Sequence, residues 1–245
     1  YKRAYRPLIP GHRQLNYNDI KSLDEISSRT AAVIVECIQA GSGYTKGTKE
    51  FISELSLRCS ALGVMLIIDE CQTGFGRTGK LFAHQLYEIT PDILCLGKAL
   101  GGGLPLGAFI SSKKNMKNLA HDPMLGHITT FGGSPLSCAA GKAALEVLIA
   151  SDWMSSVNEL GAIITNTLMD HPKVKSIKGM GLLISIFLDS PEAVLQIQKK
   201  LIERKIITNF FLFEDTALRI TPPLCIKNKE LKYFTSNLIE VLNEL

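Results

Sequence analysis

The sequence predicts an α/β fold with a mostly parallel sheet, followed by a smaller C-terminal α+β domain. Two short apolar runs, 31–36 and 64–69, lie on either side of the amphipathic segment 49–62, as expected for a strand–helix–strand unit. In the second half, helical periodicity is followed by hairpin-like segments. We therefore expect residues 1–145 to form part of a large domain and residues 146–245 to form a small one.

Each element of the first half follows from a local pattern. Each apolar run is hydrophobic up to the carboxylate that ends it, which is typical of parallel strands buried on both faces. In the segment 49–62 the apolar residues recur at helical spacing, and Gly63 follows as a helix stop. The predicted elements are a strand at 31–36, a helix at 49–62, and strands at 64–69, 92–96 and 106–111.

The second half begins with a long helical pattern, and we expect this helix to bridge the two domains. Further along, Ser190 and Pro191 suit the N-cap and the first residue of a helix. The predicted elements are one helix from Leu136 to about Leu168, a hairpin at 174–188, a helix from Pro191, strands at 206–210 and 217–220, and a helix at 229–245.

The composition limits the possible functions. Of the 245 residues, 46% are hydrophobic and 20% charged, as in ordinary globular proteins. No apolar run approaches the roughly 20 residues that cross a bilayer, and the net charge of +4 is too scattered to predict nucleic-acid binding. Cysteines without a C-x-x-C pair favour a reducing cytoplasm, and the spacing of the histidines predicts no metal site. We expect small-molecule partners, and a start at Tyr1 suggests the C-terminal part of a longer protein.

The run Gly74-Phe-Gly-Arg-Thr-Gly-Lys80 matches the spacing of both a dinucleotide fingerprint and a phosphate loop. However, residues 70–73 separate it from the preceding strand, and Leu81 stands where a phosphate loop needs Ser or Thr. We therefore reject both interpretations. The glycines are expected to form a sharp turn close to a ligand at the sheet edge.

Two charged residues follow predicted strands. Asp69 ends one apolar run and Lys98 comes just after another, at the carboxyl edge where open α/β sheets bind ligands. Taken singly, Asp69 could cap a turn and Lys98 could be a solvated loop residue. Together they match the needs of a pyridoxal cofactor, which requires an anion at its ring nitrogen and a lysine for its aldehyde.

Three segments carry a family resemblance. They are Ile67-Ile-Asp-Glu-Cys-Gln-Thr-Gly-Phe-Gly-Arg-Thr-Gly-Lys80, the stretch from Pro91 to Gly103 with Gly97-Lys98-Ala at its centre, and Thr130-Phe-Gly-Gly-Ser-Pro135. In this order they resemble the class III pyridoxal-phosphate aminotransferases, which include the acetylornithine, ornithine and 4-aminobutyrate enzymes. The resemblance implies the type I aminotransferase fold of pyridoxal-phosphate-dependent transferases.

The resemblance also implies roles for single residues. Lys98 would hold the cofactor as a Schiff base and move the proton during transfer, Asp69 would pair with the ring nitrogen, and Gln72 would donate to the ring's phenolic oxygen. Thr130 would bind the cofactor phosphate of the neighbouring subunit in a homodimer, with Thr129 as the alternative. Family members also carry an N-terminal portion with a glycine-rich phosphate cradle. Residues 1–245 do not include that portion.

Two further residues are implied in substrate binding. Arg219, before Pro222 and Pro223, would grip a substrate carboxylate, although an isolated strand arginine is often only a rim residue. Glu36 would pair with Arg219 and release it when a dicarboxylate arrives. The sequence departs from the family here, because Glu36-Cys-Ile-Gln-Ala-Gly41 replaces the usual Glu-Pro-Ile-Gln-Gly-Glu.

The implied reaction is a ping-pong transfer of an amino group from an ω-amino acid of the acetylornithine or ornithine type to 2-oxoglutarate. Three alternatives stay open at this point. The donor could be 4-aminobutyrate or another amine, the enzyme could be an aminomutase that moves the amine within one molecule, or the chain could be a noncatalytic fragment.

Overall fold

A computed structural model describes residues 3–124 and 126–245, so Tyr1 lies outside the described residues. The strands are β1 (Ala32–Val35), β2 (Ile38–Gln39), β3 (Thr45–Lys46), β4 (Met65–Asp69), β5 (Ile93–Leu96), β6 (Ala108–Ser111), β7 (Ser176–Met180), β8 (Leu183–Phe187), β9 (Asn209–Phe210) and β10 (Ala217–Ile220). The α-helices are α1 (Lys49–Leu62), α2 (Lys113–Lys117), α3 (Pro135–Ala150), α4 (Trp153–Leu168), α5 (Pro191–Glu203) and α6 (Asn228–Asn243). Short 3-10 helices span Ile20–Glu25, Ala83–Tyr87 and Lys98–Gly101.

The first sheet has the order β1-β4-β5-β6. Strands β1, β4 and β5 run parallel, and β6 is antiparallel to β5. The prediction of an α/β fold with a mostly parallel sheet is therefore confirmed, and the last strand is the exception. Because the three parallel strands lie side by side, their carboxyl ends meet at one edge of the sheet.

Helix α1 has the predicted bounds, and its ends show why. The side chain of Thr48 accepts a hydrogen bond from the backbone N of Phe51 at 3.1 Å, which caps the first turn. Gly63 ends the helix with a left-handed φ of 67°, a conformation that glycine adopts without steric cost. The helix buries Phe51 and Ile52 in the core beside the first sheet.

The second sheet is antiparallel throughout, with the order β7-β8-β10-β9. Residues from α4, α5 and α6 join β8 and β10 in one buried apolar cluster. A smaller cluster connects the β2–β3 hairpin to this sheet and contains Ile38, Tyr44 and Phe211. The division of the chain at residue 145 stays a prediction.

The single helix predicted for residues 136–168 is wrong, because Ser151 and Asp152 separate α3 from α4. The Ser151 backbone is extended, and its hydroxyl donates to the carbonyl of Leu148 at 2.9 Å. The hydroxyl of Ser155 donates to the carbonyl of Asp152 at 2.6 Å. Such side-chain bonds to the backbone compete with helical ones, while the apolar pattern continues across the break.

The strand predicted at 206–210 is shorter in the structure, where β9 begins only at Asn209. The preceding residues complete α5 instead: Lys205 has a left-handed φ of 61°, and the backbone N of Ile206 donates to the carbonyl of Leu201 at 2.8 Å. This is the hydrogen-bond pattern of a helix C-cap.

Across the described ranges 3–124 and 126–245, none of the helices has the length and apolar character that crossing a membrane requires.

Candidate active site

Three charged residues follow the three parallel strands of the first sheet. Glu36 comes directly after β1, Asp69 ends β4, and Lys98 lies two positions beyond β5. The pairing of Asp69 with Cys95 keeps the ends of β4 and β5 level. The structure thus brings Glu36, Asp69 and Lys98 to one edge of the sheet.

Asp69 is half-buried and oriented by its own turn. Its Oδ1 accepts a hydrogen bond from the backbone N of Cys71 at 2.9 Å. Burial raises the pKa of the Cys71 thiol to about 11, and a hydrogen bond to Asp69 adds to this rise. The thiol is therefore protonated near neutral pH.

Lys98 is exposed and forms no ion pair within the described part of the chain. It opens a 3-10 turn with a φ of 47°, a left-handed conformation that is uncommon for a residue with a Cβ. Such strained positions cluster at functional sites. The amine of Lys98 is therefore available to a ligand at the sheet edge.

Glu36 shares this electrostatic environment. Its Oε2 accepts a hydrogen bond from the backbone N of Ala40 at 3.0 Å. Burial raises the pKa of Glu36, the negative charge of Asp69 raises it further, and the Ala40 bond and the positive charge of Lys98 oppose the rise. The three charges therefore influence one another across the edge.

Arg219 has partners other than the expected one. On β10, it donates from Nη2 to the side-chain oxygen of Gln72, and its guanidinium carbon lies 5.4 Å from the ring centroid of Tyr44 and 5.8 Å from that of Phe211. In the described residues there is no ion pair within 4.0 Å between Arg219 and Glu36. Gln72 takes the contact that the resemblance assigned to Glu36.

Thr130 lies in the loop that precedes α3 and is exposed, as is Thr129. No hydrogen bond of its side chain occurs among the residues that the structure describes. Within one copy of the chain, Thr130 therefore has no hydrogen bond to the sheet-edge residues.

A buried glutamate next to Asp69 holds the glycine-rich turn and was missed in the sequence. The carboxylate of Glu70 is fully buried and accepts from the hydroxyl of Thr73 and from the backbone N of Ala83 and His84, at 3.0 Å and 2.8 Å for the last two. Residues 71–82 form turns and bends with no helix. This agrees with the rejection of a phosphate loop in this segment. A glutamate directly after a strand-end aspartate is the only signal that the sequence offers.

Arg77 is the other overlooked residue of this turn. Its Nη1 donates to the carbonyl of Pro222 at 2.5 Å, and its own carbonyl accepts from the backbone N of Leu182 at 3.0 Å. Burial lowers the pKa of Arg77, and the nearby charge of Arg219 lowers it further. An arginine between glycines was visible in the sequence, but its partners are distant along the chain.

The residues present fit a pyridoxal cofactor. The exposed amine of Lys98 and the oriented carboxylate of Asp69 occupy the ends of neighbouring strands, as the aldehyde and the ring nitrogen of such a cofactor require. Arg219 retains a buried Nε with no hydrogen-bond partner in the described residues. Because a buried donor normally has a partner, this atom indicates space for a further acceptor.

Comparisons with known proteins show the family of this chain. The family model for class III aminotransferases matches residues 6–242. An acetylornithine aminotransferase from Methanocaldococcus jannaschii is 35% identical over 250 residues, which cover 100% of this chain and 61% of that protein. A putrescine aminotransferase from Pectobacterium atrosepticum is 33% identical over 258 residues, covering 100% of this chain and 55% of that protein.

Solved structures give the same result. The ornithine aminotransferase from Toxoplasma gondii, a structure with partial occupancy of pyridoxal phosphate at its active site, aligns with a TM-score of 0.89 and 33% identity, over 98% of this chain and 57% of that one. The chain thus spans between 55% and 61% of the length of these proteins. From the family match, the sequence identity and the shared fold, this chain belongs to the class III aminotransferases, a family that depends on pyridoxal phosphate.

Proposed function

We propose that the protein transfers an amino group from an ω-amino acid of the acetylornithine or ornithine type to 2-oxoglutarate in two half-reactions. The observation that carries this proposal is the convergence of Glu36, Asp69 and Lys98 at the ends of three adjacent parallel strands. The cofactor supplies an electron sink when bound. The similarity to relatives named for acetylornithine and ornithine supports this type of donor.

Each residue has a proposed task at this edge. The Nζ of Lys98 would hold the cofactor and, once released, would carry the proton of the transfer, which is general acid–base work. The carboxylate of Asp69 would pair with the ring nitrogen of the cofactor, and the amide of Gln72 would donate to its phenolic oxygen. For Gln72 this requires that its side chain leave Arg219, its partner in the structure.

Arg219 binds a substrate carboxylate, for which its planar guanidinium offers a two-point contact. Glu36 adjusts the charge beside the substrate carboxylate. Because its pKa is raised, its carboxylate takes up a proton more easily than that of an exposed glutamate. Thr130 binds the cofactor phosphate of a second subunit, which is consistent with its exposure in one copy. We therefore propose a homodimer with shared active sites, acting in the cytoplasm on small molecules, without nucleic acid or membrane partners.

The test is borohydride reduction of the complete natural protein, followed by peptide mass mapping. We expect a reduced cofactor adduct on Lys98 that is lost in Lys98→Ala. The matched control is Lys142→Ala, because this lysine on α3 is exposed and pairs with Glu146 on the same helix at 3.7 Å. Absence of an adduct in the wild-type protein would contradict the catalytic assignment and favour a noncatalytic fragment.

The donor is tested in single half-reactions with a panel of amines. Ornithine and acetylornithine should convert the cofactor faster than putrescine or 4-aminobutyrate. A preference for putrescine would agree with the other named relative and would overturn the specific donor. An aminomutase would isomerise its amine without consuming 2-oxoglutarate.

A further inference from the structure

The side chain of Arg219 is seated in an aromatic corner. The rings of Tyr44 and Phe211 meet edge to face, with centroids 4.8 Å apart and an interplanar angle of 85°. The guanidinium lies over both rings, within the roughly 6 Å at which a cation is attracted to an aromatic face. Tyr44 is fully buried and Phe211 nearly so, which makes the corner a rigid surface.

The corner is made of groups without charge. The Oε2 of Glu36 accepts from the backbone N of Ala40, and Glu36 and Arg77 act on Tyr44 through their charges, but neither forms an ion pair with Arg219 in the described residues. The neutral contacts of Arg219 are the oxygen of Gln72 and the two rings. An arginine held by π faces meets an incoming carboxylate without a competing anion, whereas one held by a glutamate must first part from it.

The rings reach Arg219 from two separate elements. Tyr44 stands at the tip of the β2–β3 hairpin with a left-handed φ of 54°, and this tip is fixed because the hydroxyl of Ser185 on β8 donates to the carbonyl of Gly43 at 2.8 Å. Phe211 follows β9, in which Asn209 pairs with Arg219. The side chain is therefore restrained from both sides before any substrate arrives.

We propose that Tyr44 and Phe211 are positioning residues that hold Arg219 ready for the second carboxylate of a dicarboxylic 2-oxo acid, and so set the affinity of the second half-reaction. The inference rests on the proposed role of Arg219. Because the rings act through the arginine, their loss should weaken binding of the dicarboxylic oxo acid and leave the amine half-reaction unchanged.

The test compares the two half-reactions in the complete natural protein loaded with cofactor. Tyr44→Leu should raise the KM for 2-oxoglutarate roughly three- to thirty-fold, with the amine half-reaction and the cofactor content unchanged. Tyr44→Phe keeps the ring and should stay within about two-fold. Tyr233→Leu is the matched control, since this tyrosine of α6 is exposed and, among the described residues, its hydroxyl bonds to the carbonyl of Arg204 and to no other group.

Two results with Tyr44→Leu would overturn the inference alone. In the first, Tyr44→Leu leaves the KM for 2-oxoglutarate unchanged while Arg219→Ala raises it; the proposed function then stands without the aromatic corner. In the second, Tyr44→Leu impairs both half-reactions and cofactor binding equally, which would show a purely structural role. If Tyr44→Leu does not fold, Phe211→Leu is judged by the same criteria. An unchanged KM in Arg219→Ala would refute both the corner and the proposed role of the arginine.

Discussion

Removing the carboxylate of Glu70 should destabilise the protein strongly. The carboxylate is fully buried and satisfies the hydroxyl of Thr73 and the backbone N of Ala83 and His84. In Glu70→Ala, the donors of Thr73 and Ala83 stay buried without an acceptor, because both residues are almost completely inaccessible. Each such group costs about 1–3 kcal/mol, and the third, charge-assisted bond is lost as well. We expect a total loss of about 3–5 kcal/mol in the free energy of unfolding.

The assay is thermal and urea unfolding of the purified protein. A loss of this size corresponds to a Tm lower by about 6–20 °C for a chain of this length, and to a lower urea midpoint with an unchanged slope. Glu88→Ala is the matched control: its exposed carboxylate pairs with Lys49 at 3.3 Å at the surface and should contribute below about 1 kcal/mol. Equal stability of the two variants would refute the reasoning, since the buried network would then carry no net energy.

Two other predictions concern the site edge and its turn. Because burial raises the pKa of Glu36, the folded state resists its ionisation, and stability is lost as pH rises from the ordinary to the raised pKa; Glu36→Gln should therefore gain Tm over wild type as pH rises above the ordinary pKa of about 4.3, and a pH-independent difference would contradict this. Gly181→Ala should cost about 2–4 kcal/mol in urea unfolding, because its φ is 58° and a Cβ would lie 2.6 Å from the carbonyl of Arg77. Gly63→Ala, with a φ of 67° and open space around it, should cost only about 1 kcal/mol, and a similar cost for both would show that the contact is unimportant.

Much of the first sheet could be predicted because its signals are local. An apolar run that ends in a charged residue marks a strand end, and neighbouring parallel strands must end at the same edge. Glu36, Asp69 and Lys98 were therefore identifiable from the sequence. Their roles came from the family resemblance and stay predictions.

The remaining features depend on contacts between distant segments. Tyr44 lies beside Arg219 only because the hairpin tip bonds to Ser185, far along the chain. No periodicity in the sequence around Tyr44 could reveal that contact. The break at Ser151 is local but was hidden, since the apolar pattern that predicts one helix continues through it. There the hydroxyls of two serines bond to the backbone and favour a break between the two helices.

The turn that contains Arg77 has a consequence for recombining this protein with its relatives. Through one arginine, the turn is bonded to the carbonyl of Pro222 and to the backbone of Leu182, and Gly181 leaves no room for a side chain beside it. A chimera that takes the C-terminal half from another family member would need to keep these acceptors and this glycine in register. Whether such a chimera folds therefore depends on a few matched positions around Arg77. Overall sequence identity is a poorer guide to this outcome.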